Sequence, residues 1–342
     1  MTEALIDYGL FAAKSLTLII AIVLGLILLA RARRGGALGS HDDDDGSRLE
    51  VVDLNHRFAN MADILKHATL PPKLYKKAAK AERKEEKARA KAEDSDRRRL
   101  FVLDFHGDIM ATETGGLREM ISALLLVARP DDEVLLRLDN SGGAVHEHGL
   151  AASQLLRIRE RNVKLTVAVD KVAASGGYLM ACVANRIVAA PFAVIGSIGV
   201  LAELPNFHRL LQEKGIDFEL HTAGEYKRTL TVFGENTDEG REKLRQQLEE
   251  THGLFKAFIH QHRPDLDLDK VATGEYWHAE QALELGLIDA ITTSDDYLLA
   301  AHDDADLFKL RYRARKRPLD RLLGVVQHGL GHAAAVLAAR WR

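Results

Sequence analysis

Short apolar runs alternate with helical stretches between residues 100 and 169, and this alternation limits the fold more than any other sequence feature. The runs are apolar almost throughout, as expected for strands of a sheet that is covered on both faces. Strand, helix, strand in this order is typical of layered α/β folds. We therefore predict an α/β core over residues 100–295, with strands at residues 100–105, 133–138 and 164–169 and helices near residues 117–128 and 148–160.

An N-terminal segment of about 22 residues, 9–30, is apolar apart from Lys14 and is long enough to cross a bilayer. We predict a transmembrane anchor within residues 1–34. A cleaved signal peptide is the alternative, but it disagrees with Glu3 and Asp7 before the segment and with the arginines after it. By the positive-inside rule, those arginines favour a cytoplasmic location for the rest of the chain. This rule can fail when a long domain follows, so the side of the membrane stays open.

Charged blocks flank the expected core, so the formal net charge of -3 says nothing about partners. Residues 35–99 are predicted to form a flexible acidic linker followed by a charged helical spacer. The basic side chains of the spacer can contact anionic lipid headgroups. A nucleic-acid partner is not expected, because groups that read or stack on bases are missing. Residues 296–342 are predicted to be a basic amphipathic extension that packs on the body or another subunit, or lies on the membrane surface.

A serine lies where one predicted strand gives way to a helix. The strand at residues 164–169 leads into D-K-V-A-A-S-G-G-Y, which places Ser175 near free backbone N–H groups at the helix start. That position suits a nucleophile, and the N–H of Gly176 can donate to a developing oxyanion. The alternative is a serine that only caps a helix in a tight turn.

A second glycine pair, Gly142 and Gly143, follows the preceding predicted strand. Because the carboxyl ends of parallel strands meet at the same edge of a sheet, the two glycine loops should face one cleft. They resemble a divided oxyanion hole. Gly143 is the expected second donor, but the sequence alone does not choose between the two glycines.

A serine hydroxyl needs an adjacent base to become a nucleophile. None of the fifteen histidines has the sequence context of a triad member, and His146 and His148 are expected to be surface or capping residues at a helix start. Lys227 follows a predicted strand at residues 217–223. A lysine can act as a base when burial lowers its pKa, although this one by itself looks like a surface residue.

Metal and cofactor chemistry are not expected. The sequence has no H-E-x-x-H motif, and Cys182 is its single cysteine. An intrachain disulfide is therefore impossible, and the fold must depend on packing alone.

Several motifs resemble, in order and spacing, the family of signal peptide peptidase A: VDKVAASGGY, APFAVIGSIGV, HTAGEYKRTL and FGENTDEGRE. The resemblance extends over nearly the whole chain. It implies that Ser175 is the nucleophile, that Lys227 is the base and that Ser197 orients the lysine through a hydrogen bond. The S-P-G-G loop of the family reads N-S-G-G here, with Ser141 in place of proline. This loop should be more mobile, with activity retained.

The resemblance further implies a crotonase-like or Clp-like fold, homo-oligomeric rings and a bacterial inner-membrane location. Lys227 would act within its own chain or on a neighbouring subunit. The expected function is a membrane-anchored serine endopeptidase that cleaves peptides or unfolded segments near the membrane, such as remnant signal peptides. The alternatives are a crotonase-like acyl-CoA enzyme and a catalytically inactive membrane scaffold.

Overall fold

A mixed sheet of ten strands is the framework of the structure, a computed structural model that describes Lys14, residues 48–91 and residues 97–313. The strands are β1 (Arg48–Asp53), β2 (Arg98–Gly107), β3 (Glu133–Asn140), β4 (Lys164–Val169), β5 (Val172–Ala174), β6 (Arg186–Ala189), β7 (Val194–Gly196), β8 (Tyr276–His278), β9 (Ala290–Ile291) and β10 (Ala305–Arg313). The predicted strands correspond to β2, β3 and β4, so these three predictions are confirmed.

Helices connect most of these strands. They are α1 (Leu54–Thr69), α2 (Pro72–Lys91), α3 (Thr114–Leu125), α4 (Val145–Glu160), α5 (Gly176–Ala181), α6 (His208–Glu213), α7 (Asp238–His262), α8 (Leu268–Val271), α9 (Ala279–Glu284) and α10 (Ser294–Ala301). The two predicted helices correspond to α3 and α4, which confirms the α/β class.

The main path of the sheet runs β1-β10-β2-β3-β4-β6-β9, and all neighbours are parallel except β1 and β10. Beside this path, β5 pairs in parallel with the end of β3 and with β7, and β8 pairs antiparallel with β7. The carboxyl ends of β3, β5 and β7 therefore meet at one edge of the sheet. The two glycine loops follow β3 and β5.

The central strands are buried on both faces, as their continuous apolar sequences predict. Leu103 and Leu136 belong to one cluster, which contains residues of α3, α4 and α5. Val102 and Leu135 belong to a second cluster, which contains Leu54 of α1 and residues of α10. Burial on both faces fixes the strands that carry the glycine loops.

The sheet extends beyond residues 100–295, the range expected for the core. β1 lies in the part expected to be linker and spacer, and β10 lies in the expected C-terminal extension. Their pairing runs from Arg48 opposite Arg313 to Asp53 opposite Phe308. β10 carries a charged residue at every second position from Lys309 onward, so it lacks the continuous apolar pattern that identified the other strands.

Several predicted segments lie outside the described residues. These are the anchor at residues 1–34, apart from Lys14, the acidic stretch at 35–47 and residues 314–342. The expected spacer contains α2. None of the helices that the structure describes is long and apolar enough to cross a membrane.

Residues 201–237, called segment 201–237 below, form α6 and otherwise neither helix nor strand. The strand predicted at residues 217–223 is therefore wrong. Its apolar side chains remain solvent-exposed, including Phe218 at 42% and Leu220 at 47%. A strand needs a hydrogen-bonded neighbour, and no described strand of this chain pairs with these residues.

Candidate active site

Ser175 lies at a sharp turn between β5 and α5, as the sequence predicts. It is the residue before the helix, with φ 51° and ψ -120°, a conformation that a residue with a side chain rarely adopts. Its N–H donates to the carbonyl oxygen of Gly196 at 2.8 Å, which helps to hold the turn. Such strained strand-to-helix turns present a nucleophilic hydroxyl at the top of a sheet in other hydrolases.

The glycine loop after β3 lies directly against this turn, because Asn140 pairs with Ala173 of β5. Gly142 has φ 91°, and a Cβ atom there would lie 2.7 Å from the Cβ of Ser175. The N–H of Gly142 donates to Oδ1 of Asn140 at 2.8 Å. Since that N–H is already engaged, Gly143 is the better candidate for the second oxyanion donor.

A cavity of about 160 Å³ opens beside Ser175, and Gly143 and Gly176 contribute to its lining. The rest of the lining is mainly apolar and comes from α4, α5, the loop after β7 and α7: Val145, Leu179, Val200, Leu254, Phe255 and Phe258. The sequence analysis missed the contribution of α7. Phe255 and Phe258 recur at helical spacing, but nothing in that pattern says which cavity they line.

Ser197 lies at the end of β7, and the register of β5 and β7 places Ala174 opposite Gly196. The two serines therefore follow directly after paired residues of neighbouring strands. Ser197 also has a positive φ of 50°, and its N–H donates to the carbonyl oxygen of Glu275 at 2.6 Å. The structure thus brings Ser175, Gly143, Gly176 and Ser197 to one edge of the sheet.

Lys227 is not among the described residues that line this cavity. It is exposed to solvent, in a turn in which its N–H donates to the carbonyl oxygen of Gly224 at 3.2 Å. The structure of the single chain therefore does not bring the predicted base to the predicted nucleophile.

Two other reactive groups lie close to Ser175 in the sequence, on or next to α5. Burial raises the pKa of the Cys182 thiol and of the Tyr178 hydroxyl, and the latter donates to the carbonyl oxygen of Leu287 at 3.0 Å. Both groups are neutral near pH 7 and lie in the core. Neither competes with Ser175 for the role of nucleophile.

Comparisons with known proteins agree with the motifs. The family models "Peptidase family S49 N-terminal" and "Peptidase family S49" match residues 3–155 and 157–307. The chain is 49% identical over 329 residues to the "Probable protease SohB" of Haemophilus influenzae, covering 92% of this chain and 91% of the relative. It is 56% identical to the protein of the same name from Buchnera aphidicola subsp. Acyrthosiphon pisum, covering 69% of this chain and 70% of the relative.

Distant similarities to solved structures also exist. A variant of the membrane-bound stomatin-specific protease 1510-N is 16% identical, with a TM-score of 0.39 and coverage of 60% of this chain and 84% of that one. A ClpP1 variant from Listeria monocytogenes is 13% identical, with a TM-score of 0.39 and coverage of 58% and 94%. The matches to the family models and to the SohB relatives confirm the resemblance that the motifs indicate: the chain belongs to peptidase family S49.

Proposed function

We propose that this chain is a membrane-anchored serine endopeptidase with Ser175 as nucleophile and Lys227 as general base. The observation that carries the proposal is the strained turn at Ser175, which opens into an apolar cavity beside two glycine N–H groups. Strain of this kind costs about 1–3 kcal/mol and persists where the surrounding structure enforces it, commonly at active sites. Membership of a peptidase family supports peptide bonds as the target.

The N–H groups of Gly143 and Gly176 are suited to stabilise an oxyanion. Neither donates a hydrogen bond to another residue within the described part of the chain. Gly176 begins α5, and the first N–H groups of a helix have no acceptor inside it. Loss of one such donor lowers kcat by about 10²–10³ in comparable sites.

Lys227 has to leave water before it can act as a base. A hydrated lysine amine is protonated near pH 7, and burial away from other cations is what lowers the pKa of lysines that serve as bases. We propose that segment 201–237 carries Lys227 to the carboxyl ends of β5 and β7. There the Ser197 hydroxyl would accept a hydrogen bond from the amine and orient its lone pair toward Ser175.

The reaction then follows from these positions. The Lys227 amine takes the proton of the Ser175 hydroxyl while Oγ attacks the scissile carbonyl, and the N–H groups of Gly143 and Gly176 hold the resulting oxyanion. The protonated amine gives its proton to the leaving amine as the C–N bond breaks. Later the Lys227 amine takes a proton from water as the water oxygen attacks the acyl carbonyl, and it returns this proton to Oγ of Ser175 as the ester bond breaks and the acid leaves.

A homo-oligomer is proposed because segment 201–237 exposes many apolar side chains. Exposed apolar clusters of this kind mark contact surfaces. The large apolar residues exposed there are Leu201, Leu204, Phe207, Leu210, Ile216, Phe218, Leu220, Tyr226 and Phe233. A neighbouring subunit that covers them would also remove water from Lys227, whether the lysine then acts on its own chain or on the neighbour.

The proposed substrates are peptides or unfolded segments near a bacterial inner membrane, with the chain held there by residues 9–30. The apolar lining of the cavity suits an apolar side chain of the substrate. Remnant signal peptides have such side chains.

The test is hydrolysis of casein or a generic peptide by the purified full-length chain in detergent. We expect Ser175→Ala and Lys227→Ala to lower the rate at least about a thousandfold. Lys214→Ala, an exposed lysine of the same segment, is the matched control and should retain activity. Full activity in Lys227→Ala would show that another group is the base.

A serine-directed fluorophosphonate probe separates the remaining alternatives. A peptidase is labelled at Ser175, whereas an inactive scaffold is not. Acyl-CoA turnover that survives Ser175→Ala would favour the crotonase-like alternative, because that chemistry needs paired N–H groups but no serine nucleophile.

A further inference from the structure

We propose that Asn140 and His148 are positioning residues that hold both N–H donors of the oxyanion pocket in place. This inference rests on the proposed peptidase function. The two side chains are called the Asn140–His148 clamp. Both are buried, with exposures of 1% and 0%, and neither is among the residues that line the cavity.

Asn140 fixes the start of the glycine loop. Its Oδ1 atom accepts the N–H of Gly142, which identifies this atom as the amide oxygen. Nδ2 of the same amide lies 3.3 Å from the sulfur of Met180 in α5. A Cβ atom at Gly107 would lie 2.1 Å from the Cγ of Asn140, so the amide is also confined by the backbone of β2.

His148 connects the two ends of that loop. Its Nε2 atom lies 3.2 Å from Oδ1 of Asn140, and its Nδ1 atom lies 3.0 Å from the carbonyl oxygen of Ala144, the residue before α4. Asn140 and Ala144 bound the loop that contains Gly142 and Gly143. Both facing atoms are acceptors, so an imidazole with one N–H donates to one of them and is only in contact with the other. The ring therefore lies against both ends of the loop that supplies the first donor.

The same imidazole supports the second donor. A Cβ atom at Gly176 would lie 2.5 Å from Cγ and 2.7 Å from Cδ2 of His148, so the ring packs directly against the Cα of Gly176. The first donor lies in the loop after β3 and the second at the start of α5, and the His148 ring contacts both of these segments. Loss of the clamp would free the Gly142 N–H and let the Gly143 N–H turn away from the oxyanion.

The position of α4 does not depend on this contact. Its apolar face is buried in the core through Ala151, Ala152, Leu155 and Ile158. A His148 variant should therefore keep the helix and the fold, and lose only the orientation of the donors. Such a loss acts in the transition state and appears in kcat more than in KM.

The test compares three His148 variants of the full-length chain. His148→Phe fills the site without hydrogen bonds. His148→Gln places a donor near the Nε2 position and keeps the bond to Asn140, whereas His148→Asn places one near Nδ1 and loses that bond. We expect kcat to fall tenfold or more in His148→Phe and His148→Asn, with KM nearly unchanged, and to be largely restored in His148→Gln.

The control is His146→Phe, a change at an exposed histidine of the same helix. Its kcat should equal that of the wild type. A role in packing alone predicts the opposite order, with His148→Phe the most active variant and His148→Gln impaired, and this order would overturn the inference. The inference would also be overturned if His148→Phe hydrolysed the substrate as fast as the wild type does. If the wild type itself did not hydrolyse the substrate, the proposed function would be overturned as well.

Discussion

Two regions of the molecule differ in how firmly a single chain holds them. One is the edge of the sheet around Ser175, and the other is segment 201–237. Strands β3, β5 and β7 position Ser175, Ser197 and the two donor glycines with paired backbone and buried side chains. Segment 201–237, which carries Lys227, has one short helix and many exposed apolar side chains. The contrast indicates that a single chain already fixes Ser175, the proposed nucleophile, whereas Lys227, the proposed base, is not held at the site within the single chain.

The largest expected effect tests the well-packed region. Lys309 and Arg137 both form ion pairs with Asp104 on β2, and Lys309 is only 7% exposed. Asp104→Asn leaves the buried ammonium group without its partner, so the free energy of unfolding should fall by about 3 kcal/mol or more. Urea unfolding of the full-length chain in detergent, followed by circular dichroism, measures this.

The ion pairs of Asp104 also predict how the free energy of unfolding changes with pH. Burial alone would raise the pKa of Asp104, but the hydrogen bonds from Arg137 and Lys309 outweigh it and hold this pKa below its usual value. The stabilisation is therefore complete above about pH 4 and is lost as the pH falls further. The difference between the wild type and Asp104→Asn should shrink in acid.

Glu219→Gln is the matched change in segment 201–237. It removes an exposed pair with His221, at 3.2 Å, and should leave the unfolding midpoint unchanged. An equal loss of stability in both variants would contradict the contrast between the regions.

A smaller expected effect concerns the proposed assembly. Leu220→Asp places a charge among the exposed apolar residues of segment 201–237, so subunits should separate and hydrolysis should fall about a hundredfold. Light scattering and peptide hydrolysis measure the two effects. Leu126→Asp, at a side chain that is 87% exposed just after α3, is the control and should change neither. An active monomeric Leu220→Asp chain would show that Lys227 needs no neighbour.

The smallest expected effect concerns backbone strain at Ser175. Ser175→Gly removes the Cβ atom at φ 51°, whereas Ser175→Ala keeps it, and both remove the hydroxyl. Relief of strain exceeds the greater chain entropy of glycine, so Ser175→Gly should be more stable than Ser175→Ala by about 1 kcal/mol. Calorimetry should show a Tm higher by a few degrees, and equal values would mean that the turn is unstrained.

Local patterns made much of this structure predictable. The strands β2, β3 and β4 were predicted because burial on both faces leaves a continuous apolar sequence, and Ser175 because a strand, a serine and two glycines are adjacent in the sequence. β10 was missed because its partners lie far away in the chain and it carries Lys309, Arg311 and Arg313. A sequence does not record such distant partners.

The sequence also did not predict the surroundings of individual side chains. His148 looked like a surface or capping residue, yet the backbone of Gly176 and the amide of Asn140 enclose it. The strand predicted at residues 217–223 has suitable residues but no neighbouring strand in the described chain. In both cases the outcome depends on what lies next to the residue in space.

The place of β10 in the sheet has a consequence for how the chain folds. β1 pairs with β10 alone among the described strands, and β10 separates it from β2. During synthesis β1 emerges long before β10, the partner that lies about 250 residues later in the chain, and closing so long a loop is slow. Until then the edge of β2 is open to pairing with other nascent chains, so β10, the last of the described strands, both covers that edge and ends this period of aggregation risk.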